Sequence, residues 1–393
     1  MSPSRALRPA VSVTDGPTTV STYLLGRAGV AGVPLTALLE VADECRCGAT
    51  WTNVFEALAE RFEAAARQAQ TTLGACGQWR AAAASFQAAT YGAHLAPGTF
   101  VDAGRILALR ERARRAYSEA LPLDPYAARL SIACGKTEMD AVLRWPPASS
   151  PEETEALVLL LNGLDSITEA EMHGFGAPFL ERGFAVLALD APFARRRSGG
   201  FTPLLSLHHH ANEILAVASQ RCPAAHRFGL FGVSLGGLLA AHLLSASPSF
   251  SAAVVFSPPA FLPRDFLKEP RLRLMLSVAL QCPEKSVDAR FVELEALALS
   301  TLAPPQGALR IFATRDDRVF SPEHVDAFVL WAKGLELSWF EAEHVGTTKF
   351  HFLLPQAADW LAARLGPTLR HGAQPSAATI ARPPAAGPCK RGA

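Results

Sequence analysis

Residues 231–244 read FGVSLGGLLAAHLL, and Gly232, Ser234 and Gly236 within them make the pattern G-x-S-x-G. The apolar run RFGLF (227–231) precedes it and the apolar stretch GGLLAAHLL (236–244) follows. The first reads as a buried strand and the second as a helix, so Ser234 stands on a strand-to-helix turn. A turn that sharp has no room for side chains at 232 and 236, which would collide with the strand and the helix. Ser234 is then held on a strained turn, its oxygen at a helix N-terminus. A Gly-rich turn that merely packs closely would show the same glycines. The strand before it and the apolar helix after it favour a nucleophile.

Outward from this turn, short apolar runs alternate with helical segments. The runs are MDAVLRW (139–145), ALVLLLN (156–162), FAVLALD (184–190), RFGLFGV (227–233), AAVVFS (252–257), ALRIFAT (308–314) and LELSWF (335–340). Strand, helix, strand repeated this way predicts a mostly parallel sheet flanked by helices, an α/β fold. Residues that carry chemistry in such sheets gather at the carboxyl ends of the strands. Residues 34–130 differ. They are Ala-rich, and Phe55, Leu58, Phe62 and Ala66 recur at helical spacing, which predicts an all-helical domain of about five helices. The expected layout is an arm at 1–20, a helical domain at 21–130, a catalytic domain at 131–365 and a disordered tail at 366–393.

A serine hydroxyl needs a base, and the base needs a group to orient it. The loop TRDDRVFSP (314–322) offers Asp316 and Asp317 just past a strand. Asp317 is followed by two residues and a turn into the next helix, so it is the expected acid. Asp316 is expected to face solvent or bind Arg318. The stretch after the last strand offers His344 and His351. His344 hangs on the loop directly beyond its strand and is the expected base. His351, among Phe350, Phe352 and Leu353, reads as a histidine packed at a helix start.

The remaining polar clusters are weaker signals. His208–His210 are adjacent, and three adjacent residues cannot point one way on a helix, so no metal site is expected there. Cys45 and Cys47 have no second Cys or His cluster to complete a zinc site. The seven cysteines are scattered and read as reduced thiols of a cytoplasmic protein. Arg195–Arg197 read as a solvated loop, with a part in greeting an anionic substrate as the alternative. A formal net charge of +1 provides no field for nucleic acid or an acidic membrane. No apolar stretch is long enough to span a bilayer, and the N-terminus lacks the apolar core of a signal peptide. The expected partner is a small carbonyl substrate, a homodimer is the candidate assembly, and no cofactor is expected.

On these residues the chain resembles the α/β-hydrolases with an N-terminal helical domain. That group includes dihydroxypseudooxynicotine hydrolase, the polyketide-shortening hydrolases of fungal pigment pathways and the fermentation/respiration switch protein. The marks are NGLDSITEAE (162–171), ERGFAVLALDAP (181–192), FGVSLGG (231–237), TRDDRVFSP (314–322) and Glu343-His344 followed by ADWLAARLG (358–366). They cover roughly residues 50–365. The resemblance implies an α/β-hydrolase fold with a helical lid and Ser234, Asp317 and His344 as a catalytic triad. It further implies an oxyanion hole from the backbone N–H groups of Leu235 and of the Gly163–Leu164 turn. The implied reaction is C–C bond hydrolysis of an aryl ketone or polyketide-like compound, with an esterase, thioesterase or peptidase as alternative and a non-catalytic binding protein as a third reading. The loop DAPFARRRSGG (190–200) departs from the family's usual D-G-P-G-Q-G, which points to a different substrate.

Asp165 follows the expected oxyanion turn. One reading is structural: Ser166 and Glu169 make a capping box and Asp165 adds favourable charge at a helix start. The other is catalytic. The nicotine-pathway relative has a glutamate at the matching place, and a carboxyl raised by desolvation beneath a lid would serve as the acid that C–C cleavage requires.

Overall fold

The computed structural model describes residues 20–94, 102–135, 137–147, 149–190, 193–196, 201–203 and 207–366. Nearly all of the expected arm and tail, and Arg197, lie outside the described residues.

Five helices come first: α1 (Thr22–Ala31), α2 (Leu35–Arg46), α3 (Trp51–Gln68), α4 (Thr72–Thr90) and α5 (Ala103–Ala120). Their starts are set locally. The side chains of Ser21, Thr71 and Asp102 accept N–H groups of Leu24, Gly74 and Arg105, satisfying donors that the first turn leaves free. Helix α4 lies at the centre. Its run of buried alanines lets α3 approach on one side and α5 on the other, and Trp51, Phe55 and Leu58 close over it.

The sheet follows with β1 (Ala127–Cys134), β2 (Thr137–Arg144), β3 (Ala156–Leu161), β4 (Ala185–Leu189), β5 (Phe193–Arg196), β6 (Phe201–Pro203), β7 (Arg227–Val233), β8 (Phe250–Phe256), β9 (Ala308–Thr314) and β10 (Glu336–Phe340). Strand order is β10-β9-β8-β7-β3-β4-β2-β5-β6, with β1 paired to β2. Strands β3, β4 and β7 to β10 run parallel, and β2 joins β4 antiparallel. The first strand begins at Ala127, inside the stretch the sequence reading gave to the helical domain.

Side chains of β3 alternate between two cores, as a period of two demands. Val158 and Leu160 join Phe231, Phe256 and Phe312 under α6 (His173–Leu180), with which α12 (Phe350–Leu365) shares that face. Leu157, Leu159 and Leu161 join the opposite core, covered by α7 (Ala211–Arg221), α8 (Leu235–Ala246), α9 (Pro270–Leu280), α10 (Val287–Glu295) and α11 (Pro322–Trp331). Both faces being covered explains why β3 reads as unbroken apolar sequence.

Two features join the helices to the sheet. Val142, Ile167 and Ala170 belong to the same apolar core as α1 to α5. A smaller cluster sets Ile106 of α5 against Leu274, Met275 and Val278 of α9, with Leu164 packed on it. Helix α9, inserted between β8 and β9, therefore forms a second part of the roof over the carboxyl edge. The sequence reading had assigned the lid to the N-terminal helices alone.

Candidate active site

Ser234 follows β7 directly, with φ of 53° and ψ of −124°. A Cβ on Gly232 would collide with the Gly236 carbonyl, and one on Gly236 with the carbonyls of Leu161 and Asn162. The two glycines are thus fixed by backbone contact, and the strained φ is imposed by the packing of β7, α8 and the end of β3. The Ser234 N–H donates to Phe256 O at 2.9 Å, anchoring the turn to β8.

The structure brings Ser234, Asp317 and His344 together from the ends of β7, β9 and β10. His344 Nδ1 lies 2.8 Å from Asp317 Oδ2, and its Nε2 lies 3.0 Å from Ser234 Oγ. With Nδ1–H donating to the carboxylate, Nε2 is free to accept the serine hydroxyl. Burial pushes the Asp317 carboxyl up. The His344 charge and hydrogen bond and the N–H groups of Phe320 and Val319 outweigh it, so its pKa lies below the usual value. Both reach Oδ1, the Val319 N–H at 2.8 Å and the Phe320 N–H at 3.0 Å. Asp316 is exposed, and so is His351, on the first turn of α12.

Gly163 lies beside the nucleophile: its absent Cβ would sit 3.5 Å from the Ser234 Cβ. Leu164 follows it. Leu235 opens α8, so its N–H has no intrahelical acceptor. These are the groups expected to meet an oxyanion.

Asp165 has a partner that the sequence reading did not name. Arg27 of α1 donates from Nη1 to Asp165 Oδ2 at 2.6 Å and from Nη2 to Oδ1 at 2.9 Å. Its Nε donates to Glu171 at 2.7 Å, Tyr91 also donates to Glu171, and the guanidinium carbon lies 4.3 Å over the Tyr91 ring. Both bonds are charge-assisted. The capping box is not formed. Ser166 Oγ is buried without a hydrogen bond, and Glu169 turns to Arg129 and Arg114. Residues Thr168–Met172 form one π-helical turn. Glu169 and Glu171, two apart, thereby face different arginines.

Arg110 of α5 is buried near Asp165. Burial pushes its pKa down to about 10, partly offset by Asp165. Sequence reasoning missed Arg27, Tyr91, Glu171 and Arg110, and also Ser257, whose Oγ accepts the N–H of Val345 beside His344. A signal existed for one of them: Arg27 is the single charged residue of the helix TYLLGRAGVA.

Elsewhere, His242 Nε2 lies 2.9 Å from Leu297 O and its Nδ1 faces His208. Among the described residues no cluster of three His, Cys, Asp or Glu could hold a metal. Among them, too, no helix is long and apolar enough to cross a membrane. The backbone of Arg195 and Arg196 belongs to β5, which pairs with β2 and β6.

No protein-family model matches the chain, and no curated protein matches it in sequence. Solved structures do. The crystal structure of 2,6-dihydroxy-pseudo-oxynicotine hydrolase is similar with a TM-score of 0.69, over 86% of this chain and 95% of that one. The fold is that of the α/β-hydrolases. Identity to that structure is 21%, so the likeness concerns the fold. AbyA5 is similar with a TM-score of 0.64 over 89% of this chain and 97% of its own, at 16% identity. Both matches extend over the helical lid as well as the α/β-hydrolase sheet.

Proposed function

We propose that the protein is a serine-dependent hydrolase acting on a carbonyl compound. The observation that carries this reading is the chain of contacts from Asp317 through His344 to Ser234, ending on a serine with positive φ. Ser234 attacks the carbonyl carbon while His344 takes its proton and Asp317 holds the imidazole. The oxyanion forms beside the N–H groups of Leu235 and Leu164; each such donor is worth about 3 kcal/mol of transition-state stabilisation. Collapse breaks the bond to the leaving group, and the proton held by His344 passes to it. Water, activated by the same imidazole, then releases the acyl group and restores Ser234.

The bond broken is proposed to be C–C, in an aryl ketone or polyketide-like substrate. Support comes from the shared lid and sheet architecture of the 2,6-dihydroxy-pseudo-oxynicotine hydrolase and from the apolar roof of Ile106, Met275 and Val278 over Leu164. An ester uses the same groups and differs in its leaving atom. A fluorophosphonate probe tests the nucleophile: it should label the protein and fail to label Ser234→Ala. Acetyl esters, β-diketones and acylphenols assayed side by side then decide the bond. Ester turnover without any ketone cleavage would replace the C–C reading by an esterase.

A further inference from the structure

Asp317, His324, Ser257 and Thr314 line a narrow cleft, together with exposed Ser321 and Pro322. Its volume is about 10 Å³, room for one water molecule and far too little for an organic ligand. His324, on the first turn of α11, is 3% exposed. Its Nδ1 accepts the Ala260 N–H at 3.1 Å. A nitrogen that accepts carries no proton, so the neutral imidazole has its proton on Nε2. Burial pushes the His324 pKa down to about 4, which keeps the ring neutral near pH 7. Among the described residues Nε2 meets no acceptor, and it is not one of the sealed polar atoms that lack a partner. It therefore borders open space.

The groups around the cleft leave three hydrogen-bonding positions over. A carboxylate offers about four acceptor sites. Asp317 fills two at Oδ1 with the Val319 and Phe320 N–H groups and one at Oδ2 with His344, so one remains at Oδ2. Ser257 Oγ accepts the Val345 N–H and lies 3.2 Å from Thr314 Oγ1. Two hydroxyls in one mutual bond use one of their two protons, so one O–H remains. The third position is the His324 Nε2–H. Two donors and one acceptor are what a single water satisfies, accepting twice and donating once. The His324 ring is also held in place. Phe320 packs edge-on against both His324 and His344, with centroids 5.1 and 5.3 Å away, and Phe261 packs on His324 at 4.5 Å. Asp317 is the charged group that acts on His324.

We propose that this cleft is a site for one water molecule, which accepts the His324 Nε2–H and donates to Asp317 Oδ2, and that His324 is thereby a positioning residue for the triad: through that water it sets how strongly Asp317 holds His344. This rests on the reading of Ser234, His344 and Asp317 as the catalytic chain. The water donates to the same oxygen that accepts the imidazole. It draws negative charge from that oxygen and so weakens the pull of Asp317 on a protonated His344. Without the water the imidazolium is held more firmly, and the base is freed only at higher pH.

The test uses the full chain and two variants that divide the imidazole between them. In His324→Asn the amide oxygen takes the place of Nδ1, so the Ala260 N–H keeps an acceptor while the Nε2–H is lost. In His324→Gln the longer amide places an N–H where Nε2 stood, and the Ala260 acceptor is lost. The readout is kcat/KM for p-nitrophenyl acetate against pH, beside the melting temperature at pH 7.5. His324→Asn should move the acid limb of the profile up by about 0.5 to 1 in pH, the worth of one hydrogen bond to the carboxylate. Rates on that limb then fall about three- to tenfold, with the melting temperature close to wild type. His324→Gln should keep the wild-type acid limb and melt about 2 °C or more lower. An unmoved acid limb in His324→Asn overturns the inference. So does the same movement in both variants, since the Ala260 contact would then be what matters. A crystal structure of the full chain supplies an independent measurement. It should show a water within hydrogen-bond distance of His324 Nε2 and Asp317 Oδ2, and a cleft without one overturns the proposed site. Turnover retained by Ser234→Ala is a separate failure, that of the proposed nucleophile.

Discussion

The Val345 N–H donates to Ser257 Oγ at 3.1 Å, and both residues have positive φ, 69° and 42°. Val345 follows His344, and Ser257 directly follows β8, which lies between the strands that carry Ser234 and Asp317. Ser257 Oγ also meets Thr314 Oγ1 at 3.2 Å. One hydroxyl thus pins the loop that aims the imidazole. Ser257→Ala should cost about 1–2 kcal/mol of stability. It should lower turnover of an activated ester about tenfold through loss of His344 alignment. Thermal unfolding and steady-state kinetics check both numbers, and full activity would show that the loop holds His344 unaided.

Ser234→Ala should remove about 10⁴-fold or more of turnover with folding intact. His344→Ala should be comparably severe, whereas His351→Ala should be mild, because His351 is exposed on the first turn of α12. The reverse order of severities would move the base to His351.

Gly236→Ala tests the turn itself. The new methyl group would strike two carbonyls at the end of β3, and backbone there has no room to retreat. A loss of about 3 kcal/mol or more, or failure to accumulate, is expected. A variant that is folded and active would show that the turn can open.

Acid should destabilise the protein through His324. Its Nδ1 accepts the Ala260 N–H at 3.1 Å in the interior. Burial pushes its pKa from 6.5 down to about 4, with Asp317 opposing. Between those values the unfolded chain binds more protons than the folded one, so stability falls as pH drops through that window and is unaffected above it. The loss is on the order of 3 kcal/mol at most. His324→Asn keeps an acceptor for Ala260 and cannot titrate. Melting temperatures at pH 7.5 and pH 5 should differ less in the variant than in wild type, and an equal difference would exclude His324 as a source.

Deleting residues 1–123 spares β1 but uncovers Val142, Ile167 and Ala170 and leaves Asp165 and Glu171 without Arg27. Insoluble protein or loss of ketone cleavage is expected. A soluble fragment with full activity would show that the lid has no part in the site.

The sheet was legible because its signals are local. A strand buried on both faces must be apolar throughout, and each expected run from MDAVLRW to LELSWF overlaps a strand. The turn at Ser234 was legible because Gly232 is dictated by the Gly236 carbonyl four residues on, whereas Gly236 is dictated by the end of β3, far away in sequence. Antiparallel β1 was not, because its alternation of exposed and buried residues makes only a short apolar run in ARLSIAC. The insertion that places α9 over Leu164 was not either, since its apolar residues look the same whichever surface they cover.

The sequence by itself determined the strand-ending positions of Ser234, Asp317 and His344, because chain order and strand length fix which residues emerge at one edge of a parallel sheet. It also marked Asp165 as an acid beside the turn. Only the tertiary structure decided which arginine that acid meets. Arg27 lies 138 residues away in sequence, on a helix whose own pattern says only that one charge is buried. Which carboxylate receives that charge depends on how α1 seats against the sheet domain, and the charge of a buried group is set by its neighbours in space.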